Sequence, residues 1–253
     1  MSAGDGVEKD LPVVEMSGVG KRFGAFAAVK GVTFSAQRGD IIGLLGINGA
    51  GKTTTLRMLA TYLIPTSGSI CISGFDTVKE GEEVRRRIGY LPETPPLYDE
   101  MTVLEYLAFV ASAREIKKTE RKDAVESILE RCGLVEVRHR LCRHLSRGYR
   151  QRAGLAQAII HAPEVIILDE PTGGLDPQQV IQIRRLILSL AHDRVLILST
   201  HILPEVTMVC NRVLIMHAGS LVLDQGLAQL TDEQSLEKAF LRCIGTDVEA
   251  VSA

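Results

Sequence analysis

The chain has 253 residues, enough for one large domain or a domain with a small lobe. Twenty-nine basic and 31 acidic residues leave a net charge of −2, which gives no electrostatic case for nucleic acid. Five cysteines, an odd number with no CxxC spacing, argue against a disulfide framework and fit reduced thiols packed as small apolar groups.

Residues 1–11 are small, polar and charged; they read as a loose tail and hold no apolar run of signal-peptide length. From residue 13, short strand-like runs lead to a glycine-rich loop. Ile41 to Leu45 is an unbroken apolar run between Gly39-Asp40 and Gly46, which predicts a buried parallel strand. The segment Gly46-Ile47-Asn48-Gly49-Ala50-Gly51-Lys52-Thr53 then fits GxxxxGK[ST] between a predicted strand and a predicted helix. Its glycines let backbone N–H groups turn towards phosphate oxygens, an approach that side chains would block. The helix N-terminus adds favourable potential for the anion. Lys52 supplies a cation for the β- and γ-phosphates, the Thr53 hydroxyl is placed for Mg²⁺, and Thr54 completes the cradle. Leu56, Leu59, Ala60 and Leu63 follow at helical spacing, and Pro65 is expected to stop that helix.

Residues from about 100 to 160 read as helical. Thr102 with Glu105 predicts a capping box opening a helix over 102–114, and a second helix runs to Arg131 with Gly133 as its C-cap. Beyond 160 come a strand at 165–168, a helix with Val180, Ile183, Ile187 and Leu190 on one face, and a strand at 195–198. This alternation predicts a mostly parallel sheet covered on both faces, with the middle helices inserted as a lobe. The strand at 165 ends in Asp169-Glu170, at the edge that faces the phosphate loop in such folds. Asp169 suits holding Mg²⁺ through a water; Glu170 suits polarising the attacking water. Adjacent acids take separate roles because successive strand side chains face different ways. No apolar run approaches the roughly 20 residues that span a bilayer, so a membrane role must come through a partner.

Further segments narrow this P-loop NTPase reading. Leu145-Ser146-Arg147-Gly148-Tyr149-Arg150-Gln151-Arg152 resembles the ABC signature, LSGGQ followed by a Gln-Arg pair. Pro171-Thr172-Gly173-Gly174-Leu175-Asp176-Pro177 resembles the family's D-loop, and Ser199-Thr200-His201 its switch histidine loop. Lys21-Arg22-Phe23-Gly24 resembles the aromatic A-loop that stacks on adenine. Gly89-Tyr90-Leu91-Pro92-Glu93 resembles the Q-loop, with Glu93 where Gln is usual. The signature departs too, with Arg147 where Gly is common and Tyr149 where Gln is usual. All stand in the family's order across roughly residues 12 to 230. The chain thus resembles ATP-binding subunits of ABC transporters. The GYLPE and LSRGY variants, with the segment from Ser235 to Leu241, resemble the ABC-2-type exporter branch, gliding-motility and exopolysaccharide-like.

The implied fold is α/β: a RecA-like P-loop NTPase core, a small antiparallel β lobe and a helical lobe inserted at about 95–160. The domain would cover 12–241 and leave a tail at 242–253. The resemblance also implies two subunits, expected as a homodimer, paired head to tail with ATP and Mg²⁺ between the phosphate loop of one and the signature of the other. Ser146 and Gly148 would meet the γ-phosphate in trans. His201 would contact it and organise Glu170; Asp176 would cross the interface; Phe23 would stack on adenine. Bland readings stand beside these: Asp176-Pro177 also makes an N-cap with Pro at N1, and Ser146 also suits an N-cap. Glu93 suits either Mg²⁺, as a hard oxygen donor, or the face towards a membrane partner. The implied partner is an integral membrane permease, with this chain peripheral on the cytoplasmic face and no nucleic acid. The competing reading, a non-transport ABC ATPase acting on nucleic acid or ribosomes, would bring inserted coiled coils or a second cassette, and the sequence has neither.

Overall fold

The computed structural model describes residues 11–230, 235–243 and 245. The expected N-terminal tail, apart from Leu11, and most of the expected C-terminal tail lie outside the described residues.

The chain opens with two long strands, β1 (Val14–Phe23) and β2 (Phe26–Ala36), where the sequence predicts only short runs. Register shifts between Met16 and Arg22 break their alternation, which is why the pattern reads as pieces. Next come β3 (Ile41–Leu45), α1 (Lys52–Leu59), β4 (Ser67–Ile72), β5 (Phe75–Asp76), α2 (Gly81–Arg87) and β6 (Ile88–Leu91). The helix α1 ends well before Pro65, correcting the sequence reading. Thr61 adopts φ +62°, and the Tyr62 N–H turns back to the Arg57 carbonyl at 2.8 Å.

Three helices follow: α3 (Val103–Ala113), α4 (Arg121–Arg131) and α5 (Arg147–Ile159). The capping box on α3 is formed: Thr102 Oγ1 accepts from the Glu105 amide at 3.2 Å, and the Glu105 carboxylate accepts from the Thr102 amide at 2.8 Å. The end of α4 is closed by Gly133 at φ +62°, with the Leu134 amide donating to the Leu129 carbonyl at 2.8 Å. The remaining elements are β7 (Val165–Asp169), α6 (Pro177–Leu190), β8 (Val195–Thr200), α7 (Leu203–Val209), β9 (Arg212–His217), β10 (Ser220–Gly226) and α8 (Leu236–Cys243).

Two sheets result. One is four-stranded and antiparallel, in the order β2-β1-β4-β5. The other is six-stranded, in the order β10-β9-β3-β8-β7-β6, parallel except for the antiparallel β9–β10 pair. The parallel strands are apolar through their middles because both of their faces are covered, and polar residues such as Asp169 and Ser199 stand at their ends. Ile166, Leu168, Leu196 and Leu198 point into one core with Leu107, Leu129 and Leu155 of the helices. Val165, Ile167, Val195 and Ile197 point the other way, into a core shared with Met16, Ile70, Leu56 and Leu59. Each such side chain contributes roughly 1.5–3 kcal/mol on burial. All five cysteines are free thiols, with Cys132 and Cys142 buried among apolar neighbours.

Candidate nucleotide site

The C-terminal ends of β3, β7 and β8 lie side by side, and the loops that leave them meet in one cavity of about 570 Å³. The loop between β3 and α1 turns tightly with Gly49 at φ +81° and Gly51 at φ +103°. It is wedged between other backbones: a Cβ on Gly46 would sit 2.5 Å from the Met216 carbonyl oxygen, and one on Gly51 2.7 Å from that of Ala28. No side chain caps α1, so its first amides are left for an anion.

Lys52, at the start of α1, is buried; its side chain is 7% exposed. Its ammonium donates to the Gly46 and Ile47 carbonyls at 2.8 and 3.3 Å and lies 3.9 Å from Glu170 Oε1. Burial pulls the Lys52 pKa below its usual value, while the Glu170 and Asp169 carboxylates oppose that pull. The Thr53 hydroxyl donates to Asp169 Oδ1 at 3.2 Å. Asp169 closes β7 at 1% exposure, directly opposite Ser199 of β8. Ser199 donates its hydroxyl to Asp169 Oδ1 at 2.6 Å and accepts the Glu170 amide at 3.0 Å.

That second bond holds Glu170 in the left-handed region at φ +48°, unusual for a residue with a side chain. The turn aims its carboxylate at His201, whose Nδ1 lies 3.0 and 3.1 Å from the two oxygens. Behind them, buried Glu205 accepts from the Thr172 hydroxyl and, at 2.6 Å, from that of Thr200, tying the segment after β7 to the end of β8. The Lys52 ammonium and the His201 imidazole therefore both approach the Glu170 carboxylate, with the Thr53–Asp169 hydroxyl–carboxylate pair in the same site.

The structure brings most of the expected residues to this cavity. Asn48, Gly49, Ala50, Gly51, Lys52, Thr53, Thr54, Glu93, Glu170 and His201 line it. Gly46 and Ile47 lie at its edge as acceptors for Lys52, and Asp169 lies beneath Thr53. Phe23 does not line it: the ring is half-exposed at the end of β1, with the Lys21 ammonium 5.4 Å from its centre. The aromatic side chain on the wall is Phe26, the first residue of β2. Ser146, Gly148 and Asp176 are also outside the cavity. Ser146 is the N-cap of α5, and Asp176 caps α6 by accepting the Gln179 amide at 3.0 Å ahead of Pro177. Gly148 is covered by the Gln179 side chain. Sequence reasoning missed Phe26, gave Ser199 no role, and treated Arg147, which lines the cavity, only as a departure.

A parallel sheet whose central strand enters a glycine phosphate loop, with acids at the next strand ends, defines a P-loop NTPase. The profile of the ABC transporter family matches residues 29–173, and the chain belongs to that family. It is an ATP-binding, ATP-hydrolysing cassette. Among its relatives, the bacitracin transport ATP-binding protein BcrA of Bacillus licheniformis is 41% identical over 83% of this chain and 68% of its own length. The ABC transporter ATP-binding protein NatA of Bacillus subtilis is 39% identical over 83% and 86%. A solved ATP-binding subunit of an ABC transporter superposes with a TM-score of 0.83 at 28% identity, over 91% of this chain and 99% of that one. The cassette cbiO1 of Clostridium perfringens, part of the cbiONQ transporter complex, gives 0.78 at 26% identity over 91% and 95%.

Proposed function

We propose that this cassette drives export through a separate membrane-spanning permease, working head to tail with a second copy on the cytoplasmic face. The observation that carries the chemistry is the meeting of Lys52, Glu170 and His201 on one cavity. Terminal phosphate oxygens would take over the Lys52 ammonium from the Gly46 carbonyl and from Glu170. The freed Glu170 carboxylate accepts a proton from water as the water oxygen bonds to the γ-phosphorus and the bond to the bridging oxygen breaks. His201 orients that carboxylate and the leaving phosphoryl oxygens. Phe26, the aromatic side chain on the wall, offers a face for adenine.

Thr53 and Asp169 fit Mg²⁺. They are hard oxygen donors 3.2 Å apart, one of them a buried carboxylate. No group of three or more acidic, His or Cys side chains suited to a metal occurs among the described residues. The remaining positions thus fall to phosphate and water, as Mg²⁺ prefers. When bound, the ion neutralises charge on the β- and γ-phosphates. Glu93, on the same wall, would face that complex. Ser146, Gly148 and Asp176 stand off their own cavity, which supports their serving the site of the second copy.

For the permease, a groove of about 790 Å³ runs beside the segment from Glu93 to Tyr98. Tyr62, Tyr98 and Phe109 line it and are exposed, and the Tyr98 and Phe109 rings pack tilted at 54° with centroids 5.3 Å apart. An exposed aromatic cluster of this kind marks an interaction surface. No helix among the described residues is long and apolar enough to cross a membrane, which fits spanning segments on another chain. The family branch suggested by GYLPE and LSRGY supports export, and the relative BcrA, a bacitracin transport ATP-binding protein, supports a transport role.

The direct test is Glu170→Gln. Phosphate release should fall at least about a hundredfold, with ATP still bound and an ATP-trapped dimer visible by sedimentation. Turnover near that of the unmodified protein would refute the assignment. Tyr98→Asp should abolish co-purification with the permease while leaving ATP affinity intact.

A further inference from the structure

Two departures from the family's usual pattern, Glu93 and Arg147, stand on the walls of the same cavity and carry opposite charges. Glu93 follows β6 and Arg147 opens α5, so only the fold brings them to one space. The Arg147 guanidinium lies against Gly174: a Cβ built there would meet its Cζ at 2.4 Å and its Nη atoms at 2.5 and 2.7 Å. It forms no salt bridge with any described residue. The walls otherwise present one ammonium, Lys52, against the carboxylates of Glu93 and Glu170. Lys52 is already drawn 3.9 Å from Glu170, so Glu93 adds a negative charge that no other wall cation offsets. A triphosphate keeps net negative charge even with Mg²⁺ bound, so on entering that field it meets repulsion that glutamine at position 93 would not give.

We propose that Arg147 is a nucleotide contact within its own chain, offsetting Glu93 and favouring a triphosphate over a diphosphate. The inference rests on the nucleotide reading of the cavity. Arg147 is long enough to reach inward from the D-loop, and its fork suits phosphate oxygens. The terminal phosphate carries the charge that distinguishes ATP from ADP, so Arg147 acts mainly on ATP.

The test measures Mg-ATP and Mg-ADP affinity at low salt, at a concentration where sedimentation shows single chains. Arg147→Gln should weaken ATP about tenfold and ADP less than about threefold. Arg147→Lys, which keeps the charge, should stay within about threefold of the unmodified chain for ATP. Glu93→Gln should tighten ATP about threefold, and the double variant should return to within about threefold of the unmodified chain. Raising salt to about 0.5 M should shrink these differences. ATP affinity of Arg147→Gln within twofold of the starting value overturns the proposal. So does a loss equal for ATP and ADP, a loss seen only in dimers, or a double variant as weak as Arg147→Gln. If Arg147→Gln does not fold, Glu93→Gln still decides, because unchanged ATP affinity there removes the need for compensation. Absence of nucleotide binding to the unmodified chain would instead sink the nucleotide reading itself.

Discussion

Ser199→Ala removes one oxygen that bonds the Asp169 carboxylate and the Glu170 backbone amide at once. Its hydroxyl donates to Asp169 at 2.6 Å and accepts the Glu170 amide at 3.0 Å. The first is charge-assisted and worth about 1.5–3 kcal/mol; an amide left without an acceptor costs about 1 kcal/mol or more. Ser199 is 0% exposed and Asp169 1%, so water does not readily replace the lost group. The expected loss is about 3 kcal/mol, which for a chain of this length lowers the melting temperature by roughly 6–12 °C. Glu170 also loses the bond that holds its left-handed turn. Turnover should therefore drop more than ATP affinity does, by about tenfold to a hundredfold. A thermal melt by circular dichroism, with phosphate release and ATP titration on the same preparation, reads all three. A melting temperature within about 2 °C and turnover within about twofold would refute the account.

Other substitutions separate fold from site. Thr102→Ala removes the acceptor for the Glu105 amide and should cost about 1 kcal/mol, or roughly 2–4 °C, with phosphate release unchanged. Gly89→Ala puts a Cβ 2.0 Å from the Ala158 carbonyl oxygen, where α5 crosses β6, and should cost about 3 kcal/mol or more in a denaturant melt. His161 accounts for part of the acid sensitivity. Burial pushes its pKa down to about 4 from 6.5, and its Nε2 lies 3.0 Å from the Ile88 carbonyl oxygen. Between pH 6.5 and about 4 the unfolded chain takes up a proton that the fold refuses, so stability falls as pH drops through that window and is unaffected above it. His161→Gln should flatten the decline in denaturant midpoint; identical slopes would disprove the assignment.

The sequence made the inner strands legible because two covered faces leave unbroken apolar runs, as in Ile41 to Leu45 and Val195 to Leu198. It hid β1 and β2 because bulges interrupt their alternation. Helical spacing carried α1 too far, since Leu63 packs on the core after the chain has already turned at Thr61. The phosphate loop and the Asp169-Glu170 pair were readable because each lies within a few consecutive residues. The role of Ser199 was not, because it depends on the register that sets Ser199 opposite Asp169. Phe26 and Arg147 reach the cavity through a hairpin and a distant helix, and no spacing along the chain encodes that meeting.

The position of β3 bears on how the protein is made. This strand carries the phosphate loop at its end, yet both of its sheet neighbours, β8 and β9, begin at residues 195 and 212. A nascent chain thus displays the glycine loop on a strand with two bare edges until most of the polypeptide has left the ribosome. The sheet that frames the nucleotide cavity can therefore be completed only once residues 195–217 have been made, so β3 waits for partners that lie about 150 residues further along the chain.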